Sequence, residues 1–391
     1  MTARLKDQLK EHGLDGYVAT TYQGVNYTSG IQSTTLKIFP TTAQVYAVVR
    51  TDDIDHPVIV SGRGDMDTIA ARGPKFTGVG YGTFYRSVEP KAKLTDIERR
   101  LVTMGVEAES VALPADALAR ALSQVGLESG NVGFEDLGPA IVEKVRGILP
   151  GVTLTPALDV LNQARLLKSK AEQDLLSRVA TITEDAIGAA VALARDGVTE
   201  REMLVAFNRH LVENGADPVI AFIRFGRNGG VSQVAADDTP LRRGDLIWFD
   251  VCADLGGYKS DIARTFAFGD PGDRARTYYG ALKAAENAMI AAARPGRKAF
   301  ELFDICVQAA RDGGIPDYRR HHVGHAIGLD VYETPLLAPG HETVLEADMV
   351  LNVEAPYYEI GFGALHVEDP IVVGANGGHL LSKGQRDLII L

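Results

Sequence analysis

LIWFDVCADLGGYKSDIARTF, residues 246–266, and LNVEAPYYEIGFGALHVEDPIVV, residues 351–373, each carry two carboxylates set symmetrically about a glycine turn. Asp250 and Asp261 are equidistant from the Leu255–Gly256 junction, and Glu354 and Glu368 from Gly361. Hairpins closing at those points would place each pair directly cross-strand on one face. Opposed residues there have Cβ atoms ~5 Å apart, where like charges repel. The flanks are apolar (Leu246, Ile247, Phe249, Val251; Leu351, Val353, Ile371, Val372), so water screens the pairs poorly. Buried carboxylates so arranged share a proton or hold a cation. Four of them near a histidine point to divalent metal.

The rest of the chain sets the frame. A length of 391 residues predicts two domains. A hydrophobic fraction of 46% with 23% charged residues is that of a soluble globular protein. The formal charge of −11, with no basic tract, argues against nucleic-acid binding. Two cysteines, Cys252 and Cys306, make no disulfide framework and fit a reducing cytoplasm. The N-terminal MTARLKDQLKEHGLDG lacks the apolar core of a signal peptide, and no apolar run approaches the ~20 residues of a membrane span. The expectation is a cytoplasmic protein with no membrane or nucleic-acid partner.

An α/β pattern runs through the first ~150 residues. A helix is predicted over 4–12 and another from Pro139 to Ile148, with strands at 16–20, 43–50, 57–61 and 132–136. Residues 1–155 form the first expected domain, 156–168 a linker and 169–391 the second domain. The second domain opens on a capping box, Ser169 with Glu172, and Thr199 with Glu202 repeats it. Further helices are predicted over about 274–293 and 299–311. The two hairpins lie between and after them.

His325, in RRHHVGHAIGLDVYETP, is the expected fifth ligand. Two Asp, two Glu and one His make a mostly hard-oxygen site suited to Mn²⁺, Co²⁺, Fe²⁺ or Zn²⁺. Four carboxylates exceed what one divalent ion neutralises, so two ions are expected. Such a pair, roughly 3.5–4 Å apart, holds a bridging hydroxide that attacks a carbonyl and stabilises the resulting oxyanion.

FDVCADLGGYKSDIARTF, HHVGHAIGLDVYETP, MVLNVEAP and LHVEDPIVV together resemble the metal-site motifs of the pita-bread metallopeptidases (family M24: prolidases, aminopeptidases P, methionine aminopeptidases and creatinase). GLDGYVATTYQGVNYTSG resembles the start of the creatinase/prolidase N-terminal domain, and LLKSKAEQDLLSRVATIT the helix opening the catalytic domain. The resemblance implies an α/β (α+β) chain, a creatinase/prolidase-type N-terminal domain followed by a pita-bread catalytic domain. It implies two divalent ions, Mn or Co foremost with Zn or Fe as alternatives, on Asp250, Asp261, His325, Glu354 and Glu368. Glu354 would handle the proton of the attacking water, and His321 would hold the substrate or the oxyanion. A homodimer and a short-peptide or small-molecule substrate are implied as well.

Three positions depart from the family pattern. Gln233 and Tyr332 occupy positions where peptidases of this family usually carry histidine, and His366 stands where an arginine is common. Glutamine does not titrate, and an unperturbed tyrosine, with pKa ~10, is a poor shuttle at neutral pH. Gln233, Tyr332, His366 and His321 are therefore the expected substrate-binding residues. The leading expectation is an Xaa-Pro dipeptidase or aminopeptidase P-like hydrolase using a metal-bridged hydroxide. The alternatives are a pita-bread enzyme acting on a small amide, amidine or related compound (creatinase, ectoine hydrolase or dimethylsulfoniopropionate lyase type) and a non-catalytic peptide-binding module. Glu333 reads as a structural carboxylate and Cys252 as a small buried apolar residue.

Overall fold

Val18, Val48, Val58, Val60 and Val132 alternate into one apolar face, and the strands that carry them make a six-stranded sheet in the first 165 residues. The computed structural model describes residues 2–109 and 111–391. The sheet order is Thr77–Tyr81, Asp53–Gly62, Tyr46–Arg50, Gly16–Ala19, Ser129–Phe134, Gly151–Pro156. It is mixed: Gly16–Ala19 pairs antiparallel to Tyr46–Arg50 and parallel to Ser129–Phe134. The four predicted strands and both predicted helices are present, the helices as Thr2–Glu11 and Pro139–Ile148. Thr77–Tyr81 and Gly151–Pro156 are not among the predicted strands; the first buries only Val79, whereas the second does alternate, with Val152 and Leu154 buried at every other position.

The chain divides after Arg165. The expected linker, 156–168, is mostly helix, Leu158–Leu166, because Val160, Leu161 and Ala164 recur at helical spacing and are buried.

From Leu166 onward a ten-stranded, largely antiparallel sheet is backed by two helix pairs. Both predicted capping boxes form, at Ser169/Glu172 and Thr199/Glu202, and start the helices Lys170–Val191 and Glu200–Glu213. Val179, Ile187, Phe207 and Leu211 from these helices pack on Ile223, Phe249, Val251 and Ile262 of one half of the sheet. Helices Gly272–Ala292 and Ala299–Asp312 cover the other half, with Leu282, Met289 and Leu302 against Leu351, Val353, Ile371 and Val373. Each such buried side chain contributes about 1.5–3 kcal/mol.

That packing decides where the polar residues go. Successive strand residues point to opposite faces. With Phe249, Val251, Leu351, Val353 and Ala326 committed to the helices, Asp250, Asn352, Glu354 and His325 face the other way.

One hairpin follows the predicted register and the other does not. Glu354 pairs directly with Glu368, and the reversal beyond them closes through Glu359↔Gly363 around Gly361, whose φ is +94°. In the other, Leu255 pairs with Tyr258 across Gly256–Gly257, so Asp250 lies opposite Ala263 and not Asp261. The reason is the turn: a two-residue hairpin of the primed type needs φ > 0 at both centres, which Gly256 (+65°) and Gly257 (+94°) supply. Asp261 remains on the face of Asp250 as its diagonal neighbour. No helix among the described residues is long and apolar enough to cross a membrane.

Candidate metal centre

Five strands or strand ends bring the acidic residues together. Asp250 sits mid-strand in Leu246–Leu255, Asp261 immediately precedes Ile262–Ala267, and Glu354 ends Val350–Glu354. Glu368 begins Glu368–Gly374, and His325 centres Gly324–Ala326. Asp261, His325, Glu354 and Glu368 are all buried, His325 completely.

His325 carries the clearest sign of a missing partner. Its Nδ1 lies 3.0 Å from the Ala326 carbonyl, which only accepts, so the ring proton is on Nδ1. Among the described residues its Nε2 makes no hydrogen bond, although it lies 3.6 Å from Asp261 Oδ2 and 4.0 Å from Glu368 Oε1. A buried lone pair aimed at carboxylates fits a cation between them.

Two overlapping ligand sets result, Asp261–His325–Glu368 and Glu354–His366–Glu368, each with its ligand atoms within 4.8 Å of one another. Glu368 is common to both, as two adjacent ions sharing a bridging carboxylate require. Asp250 is in neither set but feels both, since burial and then the charges of Asp261 and Glu354 push its carboxyl well above the usual range. Glu368 is raised in the same way by burial, Asp261, Glu354 and Asp250. Glu354 goes the other way: against the upward push of burial, contacts with His322 and His366 hold it well below the usual range. The donor set, the orphaned imidazole nitrogen and the crowded acids all fit divalent metal.

The histidines divide differently from the sequence expectation. His366, completely interior, has Nε2 3.4 Å from Glu354 Oε2 and 3.3 Å from Glu368 Oε2, and among the described residues neither ring nitrogen makes a hydrogen bond. It therefore enters the centre itself. His322 Nε2 lies 2.8 Å from Glu354 Oε1. His321, the matched position, is exposed, its ring 4.1 Å from that of His322. The sequence offered both His321 and His322, the latter where the family usually has glycine, and favoured His321, because two adjacent histidines in a loop have no periodicity to separate them.

Tyr332 sits at the edge of the cluster, 55% exposed, with its ring stacked on His325 at 3.8 Å and its hydroxyl 3.3 Å from His322 Nε2. Partial burial and then the Glu354, Glu368, Asp261 and Asp250 charges push its phenol far above the usual value. Gln233 is exposed and, among the described residues, shares no hydrogen bond with the cluster. Glu333 is structural, pairing with buried Lys168 at 2.7 Å and accepting from Leu329 N. Cys252 is buried, and its thiol donates to Asp261 Oδ1 at 3.0 Å.

Supporting residues are drawn from far along the chain. Asn352 Nδ2 donates to Glu368 Oε1 at 2.6 Å, and shares the outward face of Glu354 two residues on. Arg264, also buried, donates to the Glu368 carbonyl at 2.8 Å, to Asp369 Oδ1 at 2.6 Å and to Glu184 Oε1 at 2.7 Å. Ser382 and Arg386 reach the same Asp369 at 2.5 and 2.8 Å, tying the C-terminal segment to the back of the centre.

Comparison with known proteins agrees with this geometry. Residues 174–375 match the model of metallopeptidase family M24, and residues 1–167 match the creatinase/prolidase N-terminal domain. The Xaa-Pro dipeptidase of Pyrococcus furiosus is 32% identical over 233 residues, covering 59% of this chain and 67% of that protein. The solved prolidase from Pyrococcus furiosus superposes with a TM-score of 0.73 at 25% identity, over 97% of this chain and 100% of that one. A dipeptidase structure from Pyrococcus horikoshii gives 0.76 at 23% identity over 100% and 99% of the two chains, which speaks to the fold.

Proposed function

The chain belongs to metallopeptidase family M24 and is a metal-dependent hydrolase, and on that footing we propose that it cleaves Xaa-Pro dipeptides. The observation that carries hydrolysis is the in-register Glu354–Glu368 pair with the unpartnered His325 Nε2 turned toward it. The Xaa-Pro preference is supported by the activity for which the Pyrococcus furiosus relative is named.

In this reading Asp250, Asp261, His325, Glu354 and Glu368 hold two divalent cations, Mn or Co foremost, with Zn or Fe as alternatives. When bound, the cations supply an activated water and polarise the scissile carbonyl. Glu354 stays ionised between His322 and His366 and takes the water proton. His322 Nε2, beside Glu354 Oε1, steadies the carboxylate as it changes charge. His366 orients Glu354 and Glu368 from the interior side. His321 holds the substrate from the exposed side, and Gln233 and Tyr332 contribute amide and phenol hydrogen bonds to recognition. Residues 169–391 act as the catalytic domain of a cytoplasmic homodimer.

The test is release of proline from Ala-Pro by Mn²⁺- or Co²⁺-loaded protein. Lack of cleavage of every Xaa-Pro dipeptide would remove the proposal. A second reading, a hydrolase of small amides or amidines, is favoured by Tyr332, which stands against the cluster where the family's peptidases usually place a histidine. Turnover of such compounds without dipeptide cleavage would select it.

A further inference from the structure

We propose that His366 is a sixth protein ligand of the metal centre, so that each of the two ions has its own imidazole. The proposal rests on the hydrolase reading above and deepens it, because the ligand set implied by the family resemblance contains one histidine only.

The two oxygens of Glu368 face different histidines. Oε1 lies 4.0 Å from His325 Nε2, and Oε2 lies 3.3 Å from His366 Nε2. Glu354 divides in the same way, with Oε1 2.8 Å from His322 Nε2 and Oε2 3.4 Å from His366 Nε2. His366 Nε2 therefore shares a corner with one oxygen from each glutamate, while the other two oxygens serve His322 and His325. His366, Glu354 and Glu368 are all buried, and among the described residues His366 Nε2 has no hydrogen bond to account for its place.

The separations decide which partner suits that nitrogen. A charge-assisted N–H···O bond to a carboxylate is about 2.7–2.9 Å long. Ligand atoms held about 2.0–2.1 Å from one tetrahedral ion stand about 3.3–3.4 Å from one another. The observed 3.3 and 3.4 Å match the second figure.

Packing, rather than hydrogen bonds from the ring, holds the imidazole. Thr265 Oγ1 accepts from His366 N at 2.9 Å and donates to the His366 carbonyl at 3.2 Å, which fixes the backbone. Trp248, directly cross-strand from Thr265, lies nearly parallel to the imidazole with centroids 6.4 Å apart, and Tyr358 meets it edge-on at 6.2 Å. Phe222 stacks on Trp248 in turn. Such aromatic contacts set the plane of the ring and leave Nε2 turned to the glutamates. A second imidazole also makes the donor set richer in nitrogen, which favours Co²⁺ over Mn²⁺.

The competing explanation is that His366 carries its proton on Nε2 and only hydrogen-bonds to the two glutamates. Proton NMR of the Co²⁺-loaded full chain separates the two, since each ligating imidazole gives one solvent-exchangeable, hyperfine-shifted N–H resonance. Two such resonances are expected in the wild type, from His325 and His366. One is expected in His366→Gln, which retains an N–H donor. Any other wild-type count with cobalt bound, or a count that the variant leaves unchanged, overturns the sixth ligand and leaves the hydrolase reading standing. Failure of the wild type to bind cobalt overturns both.

Metal titration followed by the emission of Trp248, the only tryptophan of the chain, gives a second test. His366→Gln should weaken Co²⁺ binding at one of the two ions by more than roughly 10-fold, and Mn²⁺ binding by less. Equal weakening of both metals, or none, refutes ligation by His366.

Discussion

His325 Nε2 and Asp261 Oδ2 lie 3.6 Å apart in a buried pocket without a hydrogen bond between them, while the other imidazole nitrogen is committed to the Ala326 carbonyl. The gap is too wide for a direct bond and suits an ion held by both. Stability should therefore depend on metal. Chelation is expected to lower the melting temperature by roughly 5 °C or more, with Mn²⁺ restoring it. Asp261→Ala and His325→Ala should lower the measured metal stoichiometry. An unchanged melt on chelation would contradict a resident ion.

Glu354 has His322 Nε2 at 2.8 Å from one carboxylate oxygen and His366 Nε2 at 3.4 Å from the other, and these contacts hold it ionised. Glu354→Gln keeps the size and removes the base. A fall in kcat of about 10²–10⁴-fold is expected, read by steady-state kinetics. Near wild-type kcat would move the proton-handling role elsewhere.

Tyr332 stacks on His325 with its hydroxyl against His322, and burial with the nearby carboxylates keeps the phenol protonated. It can donate a hydrogen bond but cannot shuttle a proton near neutrality. The double change Gln233→His and Tyr332→His should raise kcat/KM for Xaa-Pro dipeptides. Unaltered peptide rates would detach these two positions from specificity.

Arg264 holds the Glu368 carbonyl, Asp369 and Glu184 from a nearly dry site. Removing one partner of a buried pair leaves an uncompensated charge, so Arg264→Met should cost about 3–5 kcal/mol in denaturant unfolding. A change under about 1 kcal/mol, the size of a surface pair, would show the network to be dispensable.

Without metal, pH should act on stability in an unusual direction. The Asp250 and Glu368 carboxyls are raised, chiefly by burial and by their acidic neighbours, so the folded chain holds protons that the unfolded chain releases. That stability is full below the ordinary carboxyl pKa of about 4 and is lost as pH rises through the raised values. His325, raised by Asp261 and Glu354 despite its burial, adds in the same sense, and His366, lowered chiefly by burial, opposes. Glu354 is lowered, so its own loss comes only under strongly acid conditions. The metal-free protein should melt higher near pH 5.5 than near pH 8, and bound Mn²⁺ should flatten the trend. A metal-free melt that rises toward pH 8 would count against proton sharing in the cluster.

The side-by-side placement of Glu354 and Glu368, two of the proposed ligands, was legible before any coordinates. Glu354 and Glu368 announce their pairing because Gly361 leaves one obvious turn and apolar neighbours show which face each occupies. The same reading slipped by two residues at Asp250 and Asp261, since either of two adjacent glycines centres a plausible turn and only the strained geometry of a two-residue loop requires both. Helix starts were legible at Ser169 and Thr199, where the cap and its partner are three residues apart. The helix over Leu158–Leu166 was missed, although its buried residues keep helical spacing.

By itself, then, the sequence determined the order of the candidate ligands, the face each strand turns to its helices and the mostly carboxylate character of the cluster. These follow from local periodicity and side-chain type. Tertiary structure alone decided that His322 rather than His321 touches Glu354, and that Arg264 reaches Asp369 across 105 residues. Such contacts depend on how strands remote in the chain are brought together over their helices. A side chain's partner across that distance is set by packing, which no local pattern encodes.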